Sequence, residues 1–341
     1  MAWVLYAEEM ADIRMAVIGA GSWGTTVASV AAANTPTVLW ARRESVVQAI
    51  NTDHVNPDYI NSVPLSAKLR ATSSLEEAVS SADVLVMAVP SQGFRQVLEE
   101  AKPFLRPWVP VVSLSKGLEA GSMLRMSEVA KQVLPGHPVA VLTGPNLASE
   151  ISLGQPAATV VAIDDAVIAT ALQELFSSPT FRVYTNPDVV GCEIAGVVKN
   201  VIAIASGMAQ GMGFGDNTRA TLITRGLAEM TRLAVALGGH PMSLSGLAGM
   251  GDLIATCSST SSRNTSVGIR LGKGESLADI VGSTTMVAEG VRSSAIVLQL
   301  AQRHNVDMPI TEQVVAVCHH GASVPDALVA LMSRRARPEI K

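Results

Sequence analysis

Lys199 and Asn200 stand in a run, Ile194 to Ile204, that is otherwise apolar or small. Helical spacing surrounds them with apolar residues on every face, so the lysine is expected to be buried. A buried amine is costly unless it is paired. Burial also disfavours the ammonium and draws its pKa down towards neutrality, as a general acid/base at a carbonyl requires. A structural buried ion pair would account for the same lysine. A second lysine, Lys116, follows the apolar run Val111 to Leu114 and precedes Gly117. Ends of parallel strands are where open α/β sheets bind ligands, although an exposed loop lysine fits the same pattern. Third, glycines at 246, 249 and 251 crowd one carboxylate, Asp252, and Ser262, Arg263 and Asn264 follow at an expected helix start. Arg263 suits bidentate binding of a phosphate, with flanking hydrogen bonds from Ser262 and Asn264. A glycine-rich hairpin with a solvated arginine is the other reading.

Chemistry at a carbonyl needs a redox partner, and the start of the chain offers a place for one. Met15 to Ile18 runs into Gly19, Ala20, Gly21, Ser22, Trp23 and Gly24, and then into a helical stretch from Thr25 to Ala33. In this strand, G-x-G-x-x-G, helix arrangement, Gly19 permits the tight turn and Gly21 lets the backbone approach a pyrophosphate. Gly24 allows close helix–strand packing. The helix N-terminus then faces the negative charge. The next strand ends at Trp40, followed by Ala41, Arg42, Arg43 and Glu44. An acid commonly placed there binds a ribose 2′-hydroxyl, whereas arginine suits a 2′-phosphate. NADPH is therefore expected to be accepted, and Glu44 leaves room for NADH. A solvated surface charge is the alternative for either arginine.

These groups must be positioned by a scaffold, and two halves of different periodicity supply it. Strands are expected at 15–18, 37–40, 84–89, 111–114, 139–142, 159–163 and 181–184, with amphipathic stretches such as 93–105 and 123–133 between them. Continuous apolar strands alternating with helices predict a parallel sheet covered on both faces. After Pro187 the chain becomes Ala-, Leu-, Met- and Val-rich with helical spacing and no strand run. The expected class is α/β: a Rossmann-type doubly wound sheet over 13–187, then an all-helical substrate-binding domain over 188–335.

Composition narrows the partners. With 48% hydrophobic and 16% charged residues the chain is no disordered tail, and a net charge of −4 without a basic block argues against nucleic acid. The cysteines, Cys192, Cys257 and Cys318, are odd in number and lack metal spacing, which points to a reducing compartment and no zinc site. His319 and His320 read as a surface feature. The first residues, with Glu8, Glu9 and Asp12, lack a basic n-region and do not read as a signal peptide. The most apolar stretch, 189–210, contains Glu193, Lys199 and Asn200, so it reads as a buried core helix and not as a membrane span. The cytoplasm is the expected location.

From Arg14 to Leu331 the chain resembles the bacterial NAD(P)-dependent glycerol-3-phosphate dehydrogenase family. The resemblance is carried in order by residues 19–24, Ser115-Lys116-Gly117, residues 144–150, residues 198–203, residues 246–252, Ser262-Arg263-Asn264 and residues 287–290. It implies reduction of dihydroxyacetone phosphate to sn-glycerol 3-phosphate, the glycerophospholipid backbone. In it Lys199 is the proton donor and acceptor, and Lys116 and Asp252 orient and polarise the substrate. Gly144, Asn146, Asn200, Ser262, Arg263 and Asn264 bind substrate. Ser22, Trp23, Arg42, Arg43, Lys116, Ala148, Arg263, Val287 and Glu289 join Gly19, Gly21 and Gly24 around NAD or NADP. Asn146 departs from the family, which usually has Ser or Thr there, and the extension before Ile13 lies outside the pattern. The apolar helical half is expected to support a homodimer. Competing readings are a related hydroxyacid or sugar-acid dehydrogenase and a non-catalytic dinucleotide sensor.

Overall fold

A computed structural model of the chain describes residues 13–61, 63–283, 288–335 and 338. The strands are β1 (Met15–Ile18), β2 (Thr37–Trp40), β3 (Arg70–Thr72), β4 (Val84–Met87), β5 (Val111–Ser113), β6 (Val139–Thr143), β7 (Ala157–Ala162) and β8 (Phe181–Asn186). They form one sheet in the order β3-β2-β1-β4-β5-β6-β7-β8. The strand order reverses between β1 and β4, the switch point at which doubly wound sheets bind ligands. Alternate residues of β1 enter different cores. Met15 and Val17 pack with Ala28, Ala31 and Phe176 on one face, and Ala16 and Ile18 pack with Phe94, Leu98 and Val129 on the other. Burial of each such large side chain contributes about 1.5–3 kcal/mol, which is why both faces are apolar.

Two features correct the sequence expectation. β3 was not expected. It has three residues, one of them exposed, and pairs in parallel with β2. The sheet is also mixed. The strands from β3 to β6 run parallel, but β7 lies antiparallel to β6, with Leu142 opposite Val161, and β8 runs parallel to β7. A strand buried on both faces has the same composition whichever way its neighbour runs.

After Asn186 the described residues contain helices and no strand. The helix Val189–Gly211 opens at Asp188, whose Oδ1 accepts from Gly191 N and whose Oδ2 accepts from His240 N, both at 2.8 Å. It is long and apolar enough to cross a membrane, yet it lies almost entirely inside the protein, as expected of a core helix. Helices Asp216–Ala236, Asp252–Ser258, Arg263–Gly272, Glu289–Arg303 and Pro309–His320 surround it. Against Arg263–Gly272 the approach is backbone to backbone. A Cβ on Gly207 would sit 2.2 Å from Thr265 O, and one on Gly268 would sit 2.2 Å from Ile204 O. Gly211 and Gly272 repeat the contact one turn on, at 2.2 Å from Ile269 O and Met208 O. This crossing sets the start of the second helix beside Asn200.

Candidate active site

Lys116 lies just beyond the carboxyl end of β5, and Gly144 just beyond that of β6. Lys116 Nζ donates to Gly144 O at 3.1 Å and pairs with Asp252 Oδ2 at 2.6 Å. From the central helix, Lys199 Nζ donates to Thr256 Oγ1 at 2.6 Å and pairs with Asp252 Oδ1 at 2.9 Å. Asp252 and Thr256 are one turn apart on a short helix, and the hydroxyl that accepts from Lys199 donates to Asp252 Oδ1 at 3.2 Å. That helix follows a wide π-type turn over Leu247–Gly251. Close approach of the preceding backbone explains one glycine of the run, since a Cβ on Gly249 would sit 2.1 Å from Leu244 O.

Two amines thus share one carboxylate that is 2% exposed. Burial alone would raise the Asp252 carboxyl, but the charges of Lys116 and Lys199 outweigh it and hold the group below the usual carboxylate range. Burial pushes the Lys116 ammonium down to about 8; Asp252 pulls it back up, and the charge of Lys199 lowers it further. A lysine pKa lowered by burial is thus found at Lys116. Thr256 was missed altogether, because a threonine inside a helix carries no glycine, charge or spacing to mark it.

The crossing of the helices at paired glycines builds the adjoining wall. Asn264 Nδ2 donates to Asn200 Oδ1 at 2.9 Å, and Asn264 Oδ1 accepts from Gly290 N at 2.9 Å. Asn200 Nδ2 donates to Gly196 O at 3.3 Å and reaches Lys116 O at 3.5 Å. Ser262 caps the helix Arg263–Gly272 by accepting from Thr265 N at 3.3 Å, so Arg263 stands at its first position. Thr265 Oγ1 donates to Thr256 O at 2.7 Å and ties this helix to the carboxylate helix. Asn146 Nδ2 donates to Thr159 Oγ1 at 2.9 Å, while its buried Oδ1 has no partner among the described residues. Glu289 Oε2 accepts from Ser91 Oγ at 3.2 Å, and burial raises its carboxyl. Val287 lies outside the described residues.

The dinucleotide turn fits its ligand on its own geometry. Gly19 has φ +117°, and a Cβ there would sit 2.7 Å from Ala88 O. Gly21 has nothing among the described residues within 4 Å of the position a Cβ would take, which leaves room for a pyrophosphate against the backbone. A Cβ on Gly24 would sit 2.1 Å from Gly19 O. The helix Ser22–Ala31 has no side-chain cap and no acid in its first turn, as an anion-binding terminus requires. Trp23 packs edge-on to Phe181 with its buried Nε1 unpartnered among the described residues, and Thr26 Oγ1 reaches Ala148 O at 3.5 Å. Arg42 and Arg43 follow β2 and are exposed.

Both halves of this arrangement match family models. The model described as the NAD-dependent glycerol-3-phosphate dehydrogenase N-terminus matches residues 14–169, and that of the C-terminus matches residues 188–329. The chain belongs to the NAD-dependent glycerol-3-phosphate dehydrogenase family. Among relatives of this glycerol-3-phosphate dehydrogenase family, the chain is 55% identical over 320 residues to glycerol-3-phosphate dehydrogenase (NAD(P)+) 2 of Sphingopyxis alaskensis, covering 94% of this chain and 96% of the relative. It is 54% identical over 330 residues to glycerol-3-phosphate dehydrogenase (NAD(P)+) of Thermobifida fusca, covering 96% and 98%. The crystal structure of glycerol-3-phosphate dehydrogenase from Coxiella burnetii superposes with a TM-score of 0.90 at 36% identity, covering 95% of this chain and 99% of that one.

Proposed function

We propose that the chain reduces dihydroxyacetone phosphate to sn-glycerol 3-phosphate with NADH or NADPH, reversibly, using Lys199 as the proton donor. The product supplies the glycerophospholipid backbone. The observation that carries this reading is the convergence of Lys116 and Lys199 on Asp252 beside the carboxyl ends of β5 and β6. The dinucleotide would be held by Gly19, Gly21, Ser22, Trp23 and Gly24 at the turn, with Arg42, Arg43, Lys116, Ala148, Arg263 and Glu289 contributing; Val287, expected to join them, lies outside the described residues. When bound it supplies the hydride that the ketone takes up at C2.

The remaining work belongs to the chain. Arg263, flanked by Ser262 and Asn264, grips the phosphate and fixes the ketone, a positional contribution to rate. Gly144, Asn146 and Asn200 line the same site. Lys199 stabilises the oxygen on which charge develops and then protonates it. Asp252 holds Lys199 in place, and Thr256 Oγ1 accepts a hydrogen bond from it. Lys116 adds positive potential while it remains charged. The helical half, 188–335, thus brings the acid and the phosphate site to the dinucleotide-binding half, 13–187.

The three cysteines are free and buried, which supports a reducing, cytoplasmic setting, and we place the enzyme there as a homodimer. The assay that tests the function follows absorbance at the nicotinamide band when dihydroxyacetone phosphate is added to chain plus NADPH, and separately plus NADH. Oxidation with either cofactor is expected. Turnover with a 2-keto acid in its place would overturn the substrate, and binding without turnover would make the chain a sensor.

A further inference from the structure

The two arginines after β2 stand differently. Arg43 stands at the residue before the helix Glu44–Asp53 and turns its Nη2 into an ion pair with Asp58 Oδ2. Arg42 is exposed and forms no ion pair among the described residues. Glu44, the nearby acid, is engaged elsewhere: its Oε2 accepts from Ser73 Oγ at 2.5 Å. Asp58 is not on a free loop. Asn56, fully buried, donates from Nδ2 to Ala20 O at 3.0 Å and to Thr25 Oγ1 at 2.8 Å, within the dinucleotide turn and its helix. Its Oδ1 accepts from Asp58 N at 3.3 Å. The acid that holds Arg43 is therefore anchored, two residues away, to the turn that receives the pyrophosphate.

We propose that Asp58 sets the balance between NADPH and NADH by holding Arg43. The inference rests on reading the chain as an NAD(P)H-dependent enzyme. A 2′-phosphate brings close to two negative charges and is best met by guanidinium groups in bidentate fashion. The Arg43 Nη2 edge that binds Asp58 is drawn away from bidentate binding of a phosphate, and the Asp58 carboxylate repels an approaching anion. Arg42 is left as the main cation for the phosphate. A 2′-hydroxyl has no charge for either group to act on, so NADH is little affected. Asp58 thereby narrows a preference that two free arginines would tilt strongly to NADPH. The pair is solvent-exposed, with side chains 58% and 35% accessible, so its effect is modest: about fivefold in affinity.

The test is isothermal titration calorimetry on the full chain with NADPH, NADH, 2′,5′-ADP and 5′-AMP. Asp58→Asn preserves shape and leaves the Asn56 anchor alone. It is expected to lower the Kd for NADPH and for 2′,5′-ADP by about fivefold, with NADH and 5′-AMP essentially unmoved. Adding Arg43→Ala to Asp58→Asn is expected to erase the gain. An unchanged NADPH affinity, an equal shift for both cofactors, or a gain that survives loss of Arg43 overturns the proposal. Asp58→Ala gives a second variant with the same expectations should the asparagine form fold poorly. Binding is read without turnover, so a failure to reduce dihydroxyacetone phosphate would count against the proposed reaction and leave this result standing.

Discussion

Lys199 Nζ lies 2.9 Å from Oδ1 of Asp252, a carboxylate whose other oxygen holds Lys116 at 2.6 Å. The proposed acid/base amine is therefore not a lone charge sunk in a helix but one of two amines set around a buried carboxylate. Lys199→Ala is expected to lower kcat by about 100-fold or more, the usual contribution of a positioned acid. Affinity for NADH should stay near that of the wild type, because Asp252 keeps Lys116 as partner. A variant retaining most of its kcat would remove Lys199 from the chemistry.

Asp252→Asn releases both amines. Lys116, pushed down to about 8 by burial, is kept from falling further by this carboxylate. The wild-type profile of kcat/KM should decline on the alkaline side near pH 8 as Lys116 loses its charge. In Asp252→Asn that limb should move to lower pH and the maximum should drop. A limb that stays in place would mean that another group titrates there.

Arg263→Ala should act on the substrate. Loss of a charge-assisted grip on a phosphate is expected to raise KM for dihydroxyacetone phosphate by about tenfold or more. Steady-state kinetics at saturating NADH measure it, and an unchanged KM would transfer the phosphate to another group.

The glycine crossing gives a prediction about packing that reaches the site. Gly207→Ala would place its Cβ about 2.2 Å from Thr265 O and must force the two helices apart. We expect a loss of about 2 kcal/mol or more in denaturant unfolding, together with a higher KM for dihydroxyacetone phosphate as Asn264 leaves Asn200. Gly93→Ala is the control. It lies in the helix Ser91–Ala101 with nothing within 4 Å of the new Cβ, so it should stabilise slightly.

Glu229 supplies a pH-dependent term in stability. Its Oε1 accepts from Ile310 N at 2.6 Å, and its Oε2 accepts from Thr311 N at 3.2 Å and Thr311 Oγ1 at 3.0 Å, at the start of the helix Pro309–His320. Burial raises its carboxyl to about 7, against these hydrogen bonds, which lower it. The folded state thus binds this proton more tightly than the unfolded chain. Its contribution is fully present below the unfolded pKa and is lost as pH rises through 7, a swing of about 3 kcal/mol. Urea unfolding at acid and at mildly alkaline pH should show that slope in the wild type and a flatter one in Glu229→Gln. Equal slopes would show that Glu229 titrates alike in both states.

Much of the scaffold was legible because burial writes itself in composition. Met15 to Ile18 and Thr37 to Trp40 are apolar runs beside a glycine turn, and Lys199 among apolar residues announced a buried, partnered amine. What escaped depends on relations between distant residues. The direction of β7 against β6 leaves no trace in Thr159 to Ile163. β3 is too short to show alternation. Thr256 gains its place only because the wide turn after Leu247 aims its helix at Lys199. Arg43 and Asp58 are joined by a loop fold, not by a spacing.

Lys116 comes from one half of the chain and Asp252 from the other, so the charge set of the site is assembled across a seam. Cut between Asn186 and Val189, one fragment would carry a single amine and the other an amine with its acid, and neither could close the set. Mixing the fragments would turn reaction rate into a gauge of docking, with catalysis itself reporting that the halves had met.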